Sequence, residues 1–189
     1  MTTSDTTSTY ARALRTLYVV RFGFAIVWAG ILFTAAAAFL EPHPLLTVLL
    51  VVYPLIDAGA VLWQLRADPD SRRSKVAEWV NVAVSAVVAI ALGIASSISV
   101  PAALAVWGAW AISAGVPQLV TAIRNRRSGG QVPQMLSGGI SVFAGTAFLI
   151  QGLQGSSMIA GAAGYATLGA IFFLISAIRL SIMLRRARA

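Results

Sequence analysis

The chain has no cysteine, a single histidine (His43) and few charges: only 11% of its 189 residues are Asp, Glu, Lys or Arg. Without cysteine there are no disulfides, thiolate metal sites or thiol nucleophiles, and nothing is implied about compartment. One histidine excludes a haem or metal centre built from several imidazoles and leaves no nucleophile with a credible base. A Gly-rich phosphate loop followed by Lys-Ser/Thr is missing, as is His-Glu-x-x-His. The scarcity of charge excludes most, because soluble domains average about 25% charged residues.

What is present is apolar sequence: 58% of residues are hydrophobic. It comes in six blocks, each near the ~20 residues a helix needs to cross a bilayer. The spans are expected at 19–40, 45–65, 76–98, a fourth ending near Ile123, 135–153 and a sixth ending around Ile182. The turns fall at Glu41-Pro42-His43-Pro44, Ser99-Val100-Pro101 and Gln154-Gly155-Ser156. The Thr- and Ser-rich start, Met1 to Thr9, lacks the basic start and short apolar core of a cleaved signal peptide, so the first span is expected to remain as a helix. The fold class is therefore all-α integral membrane. A cytoplasmic segment 1–18 precedes a transmembrane domain 19–182, and a basic tail 183–189 follows.

Charge fixes the expected orientation. The three short turns hold no Lys or Arg, and all fourteen basic residues fall on the alternate segments. They are Arg12, Arg15 and Arg21; Arg66, Arg72, Arg73 and Lys75; Arg124, Arg126 and Arg127; and Arg179, Arg185, Arg186 and Arg188. Basic loops stay in the cytoplasm, which puts both termini inside. The net charge of +8 then points to anionic lipid headgroups at the cytoplasmic face rather than to nucleic acid.

The three hairpins, about 19–66, 76–124 and 135–180, resemble one another. Their second helices end in Trp63-Gln-Leu-Arg66, Thr121-Ala-Ile-Arg124 and Ser176-Ala-Ile-Arg179, at steps of 58 and 55 residues. Pro44, Pro101 and Ser156 occupy matching turns, and Tyr53, Trp110 and Tyr165 matching depths. Equal orientation of the units predicts a pseudo-threefold axis along the membrane normal, as parallel repeats have in some transporters. The Ser/Thr-Ala-Ile-Arg endings and the Gly-rich helix start Ser137-Gly138-Gly139-Ile140-Ser141-Val142-Phe143-Ala144-Gly145 resemble the HdeD-like short-repeat membrane family, from Phe22 to Arg186. The resemblance implies six helices, a bacterial inner membrane and a role in acid or envelope stress. It implies no catalytic residues and no cofactor. The first hairpin departs from the pattern, with Asp57 where the others hold Gly115 and Ala170.

Asp57 stands out, three residues after Pro54 and near the middle of a span. A carboxylate there costs ~2.5–3.5 kcal/mol on insertion scales, so a neutral acid is expected, facing a cavity or bonded to the carbonyl that the proline frees. Gln118, after Pro117, is a possible partner, about 4.5 Å different in depth when both are counted from their inner arginines. Glu78, Asn81 and Ser85 share a helix face, and an Arg21–Glu78 ion pair is expected at the inner boundary. His43, in an outer turn, is a candidate pH sensor that gains charge below about pH 6.5. Small residues four apart (Gly30, Thr34, Ala38; Ala162, Ala166, Ala170; Ser141, Gly145) predict close helix seams within the monomer or in a homo-oligomer. Trp28, Trp107 and Trp110 are expected to fill gaps. Two functions follow: a non-enzymatic inner-membrane protein of HdeD-like type acting in stress tolerance, or a small transporter or channel that uses Asp57.

Overall fold

The computed structural model describes residues 3–68, 75–124 and 132–186. Arg72, Arg73, Arg126, Arg127, Arg188 and the last residues of the basic tail lie outside the described residues. Six long helices make up nearly all of the rest: α1 (Thr3–Ala35), α2 (Pro44–Ala67), α3 (Val76–Ile98), α4 (Val100–Arg124), α5 (Val132–Leu153) and α6 (Ala160–Arg186), with one 3-10 turn at Ala36–Ala38. All six are long and apolar enough to span a membrane. The protein is a multi-pass membrane protein, and a lipid bilayer is its solvent.

Exposure supports that reading independently. Large apolar side chains cover the outside, among them Val27, Phe33, Ile90, Ile94 and Phe143, the last 80% exposed. A water-soluble monomer rarely shows contiguous apolar surface on this scale.

Helix ends follow local chemistry, and several differ from the sequence expectation. The first helix starts at Thr3 rather than near Val19, so the polar segment is a helical extension of the span. Ser99 alone separates α3 from α4: its hydroxyl accepts the Ala102 N–H at 3.1 Å, and Pro101 sits in the first turn, where its missing N–H costs nothing. At the end of α5, Gly155 adopts φ +80°. The Ser156 N–H then reaches the Gln151 carbonyl (2.9 Å) and the Gly155 N–H the Gly152 carbonyl (3.1 Å), a Schellman closure that favours glycine at that position. At the other face Lys75 Nζ donates to the Leu65 carbonyl at 3.4 Å, at the C-terminal end of α2.

The helices meet in chain order around a ring, and α6 closes it against α1. Contacts are most extensive at α4–α5, α6–α1 and α2–α3, and sparser within the hairpins α1–α2, α3–α4 and α5–α6. The expected tight unit, the outside hairpin, is thus the looser pairing.

Glycine explains the tightest seam. Gly108 and Gly115 on α4, and Gly138, Gly145 and Gly152 on α5, recur every seventh residue, the period of a left-handed pair. A Cβ on Gly145 would lie 2.7 Å from the Gly108 carbonyl oxygen, and one on Gly138 2.8 Å from the Leu119 nitrogen. Backbone meets backbone there. On α6, Ala162, Ala166 and Ala170 are buried inside the monomer, whereas Gly30 and Thr34 on α1 face outward.

Gly145→Leu is expected to cost ~3 kcal/mol or more, because the obstruction is backbone that cannot yield. Gly59→Leu, where an added Cβ meets nothing within 4 Å, is expected to be nearly silent. Thermal unfolding and size-exclusion profiles in detergent check both; equal stability of the two variants would contradict the seam.

Candidate functional site

All six helices contribute to one cavity of about 400 Å³. Toward the helix ends opposite the short turns its wall carries Gln64 (α2), Gln118 (α4), Gln134 (α5) and Ser176 (α6). Further in, the wall carries Arg21 from α1, Asp57 from α2 and Asn81 from α3. Tyr53, Trp110 and Tyr165, the three aromatics at matching positions of the hairpins, all line it.

Beyond them the bundle is sealed. Trp28 and Trp107 stack with ring centroids 5.3 Å apart, and Tyr53 and Trp110 pack edge-on against Trp107 at 5.4 and 5.2 Å. Phe39, Leu46, Leu50, Val100, Leu104 and Ile159 fill the half of the core nearer the short turns, each no more than 1% exposed. The tryptophans fill gaps, as expected. The indole N–H of Trp28 donates to the Leu49 carbonyl at 2.7 Å. The carbonyl that Pro54 frees is that of Leu50, the next residue along. The Trp107 N–H is buried and finds no acceptor among the described residues, an arrangement that packing alone disfavours.

Asp57 is the partner of Arg21. The guanidinium donates to Oδ1 of the carboxylate, and both side chains are more than four-fifths buried, at 18% and 16% exposure. The guanidinium also lies over the Phe173 ring, 4.2 Å from its centroid, so one cation ties α1 to α2 and α6. Ser85 Oγ approaches the other carboxylate oxygen at 3.5 Å. The expectation of a lone, neutral Asp57 overlooked this cation. The expected Arg21–Glu78 pair is replaced for a topological reason: α1 packs on α6 and α2, while Glu78 begins α3, which packs on α2 and α4.

The remaining candidates divide. Gln118 does line the cavity with Asp57, but its bond is to Gln134, 2.8 Å away across the α4–α5 seam. Asn81 shares the wall, and its side-chain oxygen is buried with no partner among the described residues. His43 sits at the opposite end of the molecule. Its Nδ1 accepts the Leu45 N–H at 3.1 Å as the N-cap of α2, and its ring packs 5.4 Å from Phe39. Among the described residues no cluster of His, Asp and Glu is arranged to hold a metal ion.

Compared with family models, curated proteins and solved structures, the chain finds no match. The site must be read from its own geometry.

Sequence reasoning missed Tyr18, Gln64, Gln134, Phe172 and Phe173 as wall residues. No spacing rule marks them, since which side of a helix faces the axis depends on neighbours far along the chain. The Arg21–Asp57 pair shows only from the observed helix ends: Arg21 lies fourteen residues before Ala35 and Asp57 thirteen after Pro44, so the antiparallel hairpin sets them at one depth, which the expected turn at 41–44 did not indicate.

Arg21→Gln is expected to destabilise by about 3 kcal/mol, because it strands a buried carboxylate. Asp57→Asn should cost a similar amount, and the double variant less than the sum. A double-mutant cycle from unfolding in detergent checks this; strict additivity would mean the pair contributes nothing. At the outer end, His43→Ala is expected to cost about 1 kcal/mol and His43→Asn almost nothing, since asparagine restores the cap.

Proposed function

We propose that the protein is a non-enzymatic carrier of the inner membrane, with both termini cytoplasmic and a central binding cavity that opens to the cytoplasm. One observation carries this reading: a cavity lined by all six helices, with polar side chains toward the helix ends opposite the short turns and an aromatic cluster filling the core beyond it. A carrier resting in one of its two access states has that form. The inward orientation rests on the placement of all fourteen Lys and Arg. Pseudo-threefold construction from three tandem hairpins agrees with the alternation of extensive and sparse contacts around the ring.

In this reading Asp57 is the coupling carboxylate and Gln118 guards the mouth. The Arg21–Asp57 pair spans the sparse α1–α2 pairing. A solute or proton that competes for either charge weakens that pairing, and the cavity wall gains freedom to move. The reading is non-enzymatic because the only histidine is a helix cap at the far end, remote from the hydroxyls of the cavity. The stress role implied by the HdeD-like resemblance concerns when the protein is needed rather than what it holds, and it is compatible with a carrier.

Uptake of labelled amino acids and polyols by proteoliposomes is the direct test. Flux present in the wild type and lost in a folded Asp57→Asn variant is the expected result. Absence of flux for every solute, with Asp57→Asn indistinguishable from wild type in solute binding, would remove the carrier reading. Because the chain is free of cysteine, single cysteines at Ser128 and Gln154 report topology cleanly. Inner labelling of the first and outer labelling of the second are expected; the reverse would invert the orientation. Survival of a deletion strain at low pH tests the stress role, which fails if deletion has no effect.

A further inference from the structure

A second hollow lies where α5 and α6 diverge. It is an apolar groove of about 660 Å³ on the outside of the ring, lined from Met135 and Leu136 to Phe148 on α5 and from Gly161 to Leu168 on α6. Both volumes lie within the ~300–1,000 Å³ usual for ligand sites. Three residues, Ile140, Tyr165 and Leu168, line this groove and the polar cavity alike. The two spaces therefore adjoin through a single wall, at the sparse α5–α6 pairing.

We propose that the groove holds the acyl chain of a single-chain membrane lipid whose polar head lies in the central cavity. The inference rests on reading that cavity as a binding site, and it names the substrate class. A lipid head drawn into a membrane protein from the side leaves its tail in hydrocarbon, and this groove lies on the lipid side of the cavity wall, where Ile140, Tyr165 and Leu168 are the side chains that would part to join the two spaces. A Cβ on Gly139 or Gly164 would meet nothing within 4 Å, whereas one on Gly161 would lie 2.9 Å from the Phe148 ring. Glycines at the α4–α5 seam, in contrast, meet backbone. The α5 wall, from Met135 to Phe148, is about 20 Å long at 1.5 Å per residue. That exceeds one leaflet of the ~30 Å core and falls short of two, the reach of one chain. Surrounding lipid is as apolar as the groove, so the groove admits the tail and the head supplies the selectivity. With Arg21 and Asp57 side by side in the wall, the head that fits carries both signs of charge or neither.

The test uses the full chain in nanodiscs, with palmitoyl lysophosphatidylethanolamine bearing a mid-chain diazirine as the probe. Crosslinks concentrated on the groove walls of α5 and α6, and competed by excess glycerophosphoethanolamine, are expected. Gly164→Leu, with Gly139→Leu from the facing wall as the second variant, should reduce labelling at least about tenfold. Binding of glycerophosphoethanolamine, which has no tail, should stay unchanged in both, and Gly59→Leu on α2 should label like wild type. Labelling spread evenly over all six helices would mean only annular lipid and would overturn the proposal. So would disulfide-linked dimers from a Gly164→Cys variant that also lose labelling, since a second copy would then cover the groove. Labelling indifferent to both leucines, with flux still lost in Asp57→Asn, would defeat the groove and leave the carrier reading intact. No binding of glycerophosphoethanolamine together with a silent Asp57→Asn would defeat both.

Discussion

Hydrocarbon offers no partner to a polar group, so polar side chains inside the spans turn to the protein itself; Asn81 and Trp107 keep a buried atom without a partner among the described residues. The main bonds between helices follow from that constraint. Arg21 meets Asp57, the Trp28 indole meets the Leu49 carbonyl, Ser96 meets Thr47 at 2.9 Å, and Ser141 meets Tyr165 at 2.9 Å. Isolated hydroxyls turn back on their own helices, as Thr146, Thr167 and Ser176 do toward carbonyls four residues earlier. A lone charge at the depth of Asp57 would be expensive; two opposite charges on neighbouring helices make the depth tenable.

Two kinds of adhesion result, and they occupy different places. Where backbones can touch, as along α4–α5, dispersion across glycine surfaces suffices and few polar bonds are needed. Where the helices stand further apart, at α1–α2 and α5–α6, polar side chains bridge the gap. Those same bridging groups face inward, so the residues that hold the sparse pairings also form the cavity wall. Closely packed helix pairs alternate with sparse seams around the central cavity. A change of charge at the cavity therefore acts directly on the parts of the ring with the least packing to resist it.

The six helices were legible in the sequence because the bilayer imposes a length on each. The six spans were evident to within a few residues at most ends, and α3 matches its expected limits. The early start of α1 was hidden because a polar helix extending beyond the spanning segment leaves no hydrophobic signal. Asp57 and Gln118, conspicuous in the sequence as polarity in apolar stretches, both line the cavity. Their partners were not legible. The heptad glycines of α4 and α5 mirror one another about the loop at 125–131 and would have indicated that seam, had a period of seven been sought instead of four. The closure of α6 on α1 leaves no local trace, which is why Phe173 beneath Arg21 was unforeseeable.

Ring closure has a consequence for how the molecule is made. The helix with which α1 shares its most extensive surface, α6, leaves the ribosome after four others, so α1 waits in the bilayer through their insertion. During that wait it carries Arg21 within its spanning segment. Its counter-charge arrives with the very next helix. Arg21 and Asp57 can therefore neutralise one another in a nascent hairpin, long before α6 supplies Phe173 and the cavity has a wall to close. The pair that sits at the centre of the finished protein is also a safe-conduct for its first helix.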